Sequence, residues 1–159
     1  GWRALDPPEL APARSDTYEP HRAVVGGGSY ARLDANLRRA WRYASRVSFE
    51  RLFDFPHRSL MSLTDGLAEA RARLDRPSTD LRAWSQAFDV WSPWWPYQGE
   101  CLYRAYVRLK FLHAGGHDAH WVFGVRLWPF QAHCWLQVGD LVIGDRVHRV
   151  RAFTPIMVA

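Results

Sequence analysis

Glu100-Cys101-Leu102-Tyr103-Arg104-Ala105-Tyr106-Val107-Arg108-Leu109-Lys110-Phe111-Leu112-His113-Ala114-Gly115-Gly116 is the stretch on which the fold turns. Leu102, Ala105, Tyr106, Leu109 and Leu112 recur at helical spacing, and the glycine pair predicts the C-terminal stop. Beyond it the period falls to two. Residues 120–128, 132–138 and 141–144 read as strands, with Gly139-Asp140 supplying turn residues between the last two. Helices first and strands last is an α+β pattern, with N-terminal helices followed by an antiparallel sheet.

Upstream of Glu100 stands Trp91-Ser92-Pro93-Trp94-Trp95-Pro96-Tyr97-Gln98-Gly99, a stiff aromatic loop. Residues 80–90 predict a helix with Ser78 or Thr79 as N-cap and Leu81, Trp84 and Phe88 facing in. Residues 63–74 predict another, capped by Ser62 or Thr64. Leu33, Leu37, Ala40, Trp41, Ala44 and Val47 mark an amphipathic helix with Arg32, Arg38, Arg39, Arg42 and Arg46 between them, ending near Phe55-Pro56. Residues 1–30 read as an arm: Pro7-Pro8, Pro12 and Pro20 are kept out of helix interiors, and Gly26-Gly27-Gly28 is a flexible joint. That arm is a linker from an upstream domain, or it holds a strand or two. The domain proper is expected over 31–159, with a helical part at 31–92 and the rest of the core at 93–159. Gly1 in place of Met is expected to mark a processing scar.

The 159 residues suit one domain. Their 48% apolar content excludes disorder throughout, and two cysteines exclude a disulfide scaffold. No run approaches the ~20 apolar residues of a membrane span, and no signal peptide opens the chain. A reduced, soluble, cytoplasmic protein is expected. The net charge of +5 permits an acidic peptide or nucleic-acid partner without selecting one.

Cys101 opens a helix, where unpaired N–H groups and the positive end of the dipole stabilise a thiolate and can hold an oxyanion. His133 opens a strand and is the candidate base. Asp145 follows the next strand, placed to orient the imidazole. Their parity depends on the hairpin. A three-residue loop puts His133 and Asp145 on one face; a two-residue loop needs a bulge. Cys134 should point to the face opposite His133 as a small core residue, and no disulfide with Cys101 is expected. Gln98 is a candidate oxyanion donor. Trp94, Trp95 and Trp135 are candidates for the wall of a substrate groove, or the tryptophan loop is a core plug. His113, His117 and His120 lack a matching ligand set, so no metal and no cofactor is expected.

Glu100-Cys101-Leu102-Tyr103-Arg104, Gly124-Val125, Pro129 to Leu136 with its His133-Cys134-Trp135, Gly144-Asp145 and Phe153-Thr154-Pro155-Ile156 together resemble the transglutaminase-like leader peptidase of lasso-peptide biosynthesis, the B protein. The likeness covers about residues 98–156, and the family usually has Ala where Cys134 stands. It implies a transglutaminase-like, papain-like fold and a cysteine peptidase that separates leader from core in a precursor peptide. It also implies Cys101 as nucleophile, His133 as base and Asp145 as orienting acid. The implied partners are the precursor, a leader-recognition protein or domain, and an ATP-dependent macrolactam synthetase that closes the ring.

Two other readings use the same residues. A transglutaminase-like acyltransferase would pass the acyl group to an amine. A basic, Trp-rich nucleic-acid-binding module would stack bases on its aromatics, but no nucleic-acid recognition motif is present. The intact Cys, His and Asp argue against a pseudo-enzyme that only docks partners.

Overall fold

The computed structural model describes residues 3–4, 10–17, 59–74, 80–92 and 100–159. Helix α1 (Leu60–Arg71), helix α2 (Leu81–Trp91) and helix α3 (Cys101–Ala114) precede most of the sheet. Strands β3 (His120–Arg126), β4 (Gln131–Val138) and β5 (Leu141–Ile143) follow, then the short helix α4 (Val147–Val150) and strand β6 (Thr154–Val158). Strands β1 (Arg3–Ala4) and β2 (Ser15–Asp16) lie at the two edges, giving the order β1-β6-β3-β4-β5-β2. The α+β class expected from the sequence is the class observed.

The local readings need three corrections. Helix α1 starts earlier than expected, and Ser59 stands at its cap, its Oγ accepting from the Ser62 N–H at 3.3 Å. Helix α2 is capped by Asp80 itself, whose carboxylate accepts from the Ala83 N–H. The first long strand stops at Arg126 because Leu127 to Phe130 form the turn into β4. The arm proves to hold strands: β1 pairs with β6 antiparallel, and β2 pairs with β5 in parallel, so the sheet is mixed at that edge. The arginine-rich helix expected upstream of Phe55, the caps Ser78 and Thr79, and the tryptophan loop lie outside the described residues.

Two cores sandwich the sheet. On one face α3 lays Tyr106, Leu109 and Leu112 against Trp121, Cys134 and Leu136, with α1 and α2 closing over them through Leu63, Leu67, Trp84 and Phe88. Helix α3 is buried nearly all round, wider than the one stripe its sequence shows. On the other face Val122, Trp135, Val142, Val150 and Phe153 pack together, with Leu10 and Ala13 against them. Segment 10–17 is tied down by polar contacts as well: the Gln137 side-chain amide donates to the Ala11 carbonyl at 2.6 Å and Arg151 Nε to the Ala13 carbonyl at 2.9 Å.

Candidate active site

Three chain segments meet at one end of β4. The hairpin between β4 and β5 has the two-residue loop, because Val138 pairs with Leu141 and Leu136 with Ile143. Continued regularly, that register would set Asp145 beside Cys134 and on the wrong face for His133. It does not continue. β5 ends at Ile143, and Gly144 takes φ +71°, a left-handed conformation that a side chain would resist. The chain swings, and the Asp145 carboxylate comes to His133 Nε2 at 2.5 Å. A left-handed glycine does the work expected of a bulge.

The loop that carries Asp145 is braced from β2, a part of the chain the sequence reading left as arm. The Gly144 N–H donates to Thr17 Oγ1 at 3.2 Å, and the Val147 N–H donates to Asp16 Oδ2 at 3.0 Å. Below them Arg108, buried on α3, donates to Ser85 Oγ at 3.3 Å and pairs with Asp89 at 2.5 Å. A Cβ on Gly144 would strike the Arg108 guanidinium. Neither two-residue edge strands nor a buried arginine among 21 basic residues carries a periodic signal, so these braces escape a reading of the sequence.

Where β5 stops, β4 keeps β3 on one side, and among the described residues no strand lies on its other side from residue 131 to 135. Cys101, the first residue of α3, fills that opening. His133 reaches its sulfur from one side; the Cys134 thiol and the Cys134 backbone N–H reach it from the other side and from the strand edge. With His133 Nε2 given to Asp145, Nδ1 is the nitrogen left for Cys101. Cys134 does point to the face opposite His133, as strand alternation requires. The correction is that Cys101 stands at the sheet's edge and meets both faces, so Cys134 belongs to the site as well as to the core. Both cysteines are free thiols.

The electrostatics follow from these contacts. Hydrogen bonds from the Cys134 and His133 side chains, against the cost of burial, hold the Cys101 thiol down at about 4. Burial works against the charged form of His133, but the bonds to Asp145 and Cys101 outweigh it and lift the imidazole to about 9. Burial likewise opposes ionisation of Asp145, and the bonds from His133 and from the Arg146 N–H (2.7 Å) outweigh it, so its carboxyl lies below the usual range. The negative sulfur beside it, together with burial, pushes the Cys134 thiol far up, so Cys134 stays protonated. Cys101 and His133 therefore form a thiolate–imidazolium pair near neutral pH.

The three side chains line a cleft of about 440 Å³ with Arg104, Arg108, Arg146 and Arg149 around it. The N-cap of α3, Glu100, makes no side-chain bond to the helix, and Cys101, the first helical residue, lines the cleft. Trp135, expected in the wall of the groove, is among the residues that line the cleft, with most of its ring buried. Its indole is 3% exposed, donates to Gln137 Oε1 at 3.1 Å, and lies under the His133 ring with Phe153 beside it. It supports the imidazole from the core. Gly124 makes this possible, because a Cβ there would come within 2.9 Å of the Trp135 ring. Gln98, Trp94 and Trp95 lie outside the described residues. Among the described residues no group of three or more His, Cys, Asp or Glu is placed to hold a metal, and no helix is long and apolar enough to cross a membrane.

A family model described as the transglutaminase-like superfamily matches residues 37–158. The chain belongs to that superfamily, whose match spans both the site and the helices before it. Among curated proteins it is similar to the microcin J25-processing protein McjB of Escherichia coli, 41% identical over 49 residues. That stretch is 31% of this chain and 24% of McjB, so the match spans about a quarter of the relative's length. No solved structure gave a significant match.

Proposed function

We propose that the chain is a cysteine peptidase that cuts the leader from a lasso-peptide precursor, with Cys101 as nucleophile, His133 as acid and base, and Asp145 as the orienting group. The observation that carries this is the thiolate–imidazolium pair at the N-terminus of α3, with His133 Nε2 bonded to Asp145 at 2.5 Å. The similarity to a microcin-processing protein supports a precursor peptide as substrate. A leader-recognition protein or domain and a macrolactam synthetase are the partners such a step calls for.

In the first half-reaction the Cys101 thiolate attacks the scissile carbonyl carbon, and the carbonyl electron pair moves onto oxygen. The backbone N–H groups at the start of α3 stabilise that oxyanion. Collapse expels the core's amine, which takes a proton from the His133 imidazolium and leaves the leader as a thioester on Cys101. In the second half-reaction neutral His133 takes a proton from water as its oxygen attacks the thioester. Leader carboxylate departs and the thiolate–imidazolium pair is restored. Asp145 keeps the ring's Nε2–H in place through both halves.

The test is to incubate the protein with a leader–core precursor, with and without a leader-recognition protein, and to weigh the products intact. Separate leader and core masses, absent with Cys101→Ala, establish the peptidase. A precursor-derived product carrying an added amine would replace hydrolysis with acyl transfer. An intact precursor in every arm, with the fold verified by circular dichroism, would overturn the reading.

A further inference from the structure

The proposed mechanism uses one thiol, yet two stand at the same sulfur-filled opening. Cys134 lies in the core cluster against which Cys101 packs, and both line the cleft. The Cys134 thiol is in hydrogen-bonding contact with the Cys101 sulfur. Cys134 is 4% exposed, whereas Cys101 is partly open to the cleft. One sulfur is therefore reachable by a small solute and the other only through the first. A disulfide needs the two sulfurs to close to about 2.05 Å with the α-carbons roughly 4.4–6.8 Å apart, so thiols that already touch are the pair from which one can form.

We infer that Cys101 and Cys134 form an oxidisable dithiol, in which a small peroxide entering the cleft closes a Cys101–Cys134 disulfide and blocks the nucleophile reversibly. The Cys101 thiolate attacks one peroxide oxygen, the O–O bond breaks, and hydroxide leaves, giving a sulfenic acid on Cys101. Cys134 sulfur then attacks the Cys101 sulfur, the S–S bond forms, and a second hydroxide leaves. The protons of the Cys134 thiol and the His133 imidazolium convert the two hydroxides to water. The dithiol loses two electrons, and the peroxide is reduced by two.

The order of events follows from the contacts. While Cys101 is a thiolate, its charge keeps Cys134 protonated and inert. A sulfenic acid carries no such charge, so oxidation of Cys101 lifts the repulsion that keeps the Cys134 thiol protonated. Burial shields Cys134 from peroxide until then, and its contact with Cys101 lets it capture the sulfenic acid ahead of a second peroxide. Alanine at this position would leave Cys101 on the path to irreversible sulfinic acid.

The experiment treats the reduced full chain, freed of reductant, with stepwise hydrogen peroxide and weighs it intact. Non-reducing peptide maps and a free-thiol titration run alongside. The expected result is a loss of about 2 Da, disappearance of both thiols, and a peptide linking residues 101 and 134, all reversed by dithiothreitol. Cys134→Ala should instead gain oxygen masses that dithiothreitol does not remove; Cys134→Ser serves if the alanine variant misfolds. Oxygen addition to the wild-type chain with no linked peptide would overturn the inference. These readouts are masses and thiols, so they stand whatever the substrate. A disulfide that forms while precursor cleavage continues would support the dithiol and overturn Cys101 as nucleophile.

Discussion

The two halves of β4 have the same neighbour on one side and different company on the other. From Leu136 to Val138 the strand pairs with β5, and its residues are core. From Gln131 to Trp135 no strand lies on that side among the described residues, and there the chain gathers a thiolate, an imidazolium and a carboxylate. A full-length β5 would satisfy the Cys134 N–H with a carbonyl and bury the edge. Stopping β5 at Ile143 leaves a backbone donor and two opposed side chains to converge on an atom from elsewhere. The site is made by withholding a strand, and a helix N-terminus takes the vacancy.

Substitutions in the two halves should therefore fail in different ways. His133→Ala, in the open half, should lower kcat/KM by roughly 10³-fold or more, as loss of a proton-transfer group does. Asp145→Ala should cost about 10²-fold and reshape the pH profile. In the wild type, kcat/KM should be bell-shaped, falling below about 4 as Cys101 is protonated and above about 9 as His133 loses its proton. Without the carboxylate the imidazolium loses its partner, so the alkaline limb should move down. Near pH 4 the imidazolium stays protonated without the carboxylate, so the acid limb should stay where it is. An unchanged bell would break the assignment of Asp145.

Leu136→Ala, in the paired half, should cost about 2–5 kcal/mol of stability in urea titration and leave both limbs where they were. Gly144→Ala sits at the junction. Its positive φ costs about 1–2 kcal/mol and its Cβ displaces Arg108, so stability and activity should fall together. The smallest effect is expected from Thr17→Val, about 1 kcal/mol for the acceptor lost to the Gly144 N–H, with a measurable drop in kcat. No drop would show that the β2 brace holds the fold without serving Asp145.

What could be read from the sequence was what repeats locally. The helical period of Leu102 to Leu112 and the alternation from 120 to 144 set down α3, β3, β4 and β5 nearly to the residue. Cys101 at a helix start and His133 at a strand start followed from those elements. The pairing of His133 with Asp145 stayed open, because alternation counts residues and the decisive event is a left-handed turn at Gly144. The role of Cys134 was legible only to the extent of its face, since where Cys101 stands relative to the edge is a tertiary fact. Strands of two residues, such as β1 and β2, have no period to detect. Their partners lie more than a hundred residues away: Arg3 opposite Val158 and Ser15 opposite Leu141.

Those distant pairings also set a schedule. As the chain leaves the ribosome, α1, α2 and α3 can pack on one another while the segment at 10–17 still has nothing to join. It docks once β5 has emerged, and residues 3–4 wait longer, for β6. Both closures span most of the chain, so they carry the largest loop entropy and the highest contact order in the sheet. Thr17 and Asp16 arrive with the first of them. The thiol can thus be in place well before the loop that orients its histidine is braced, and competence to react comes late to the newborn chain.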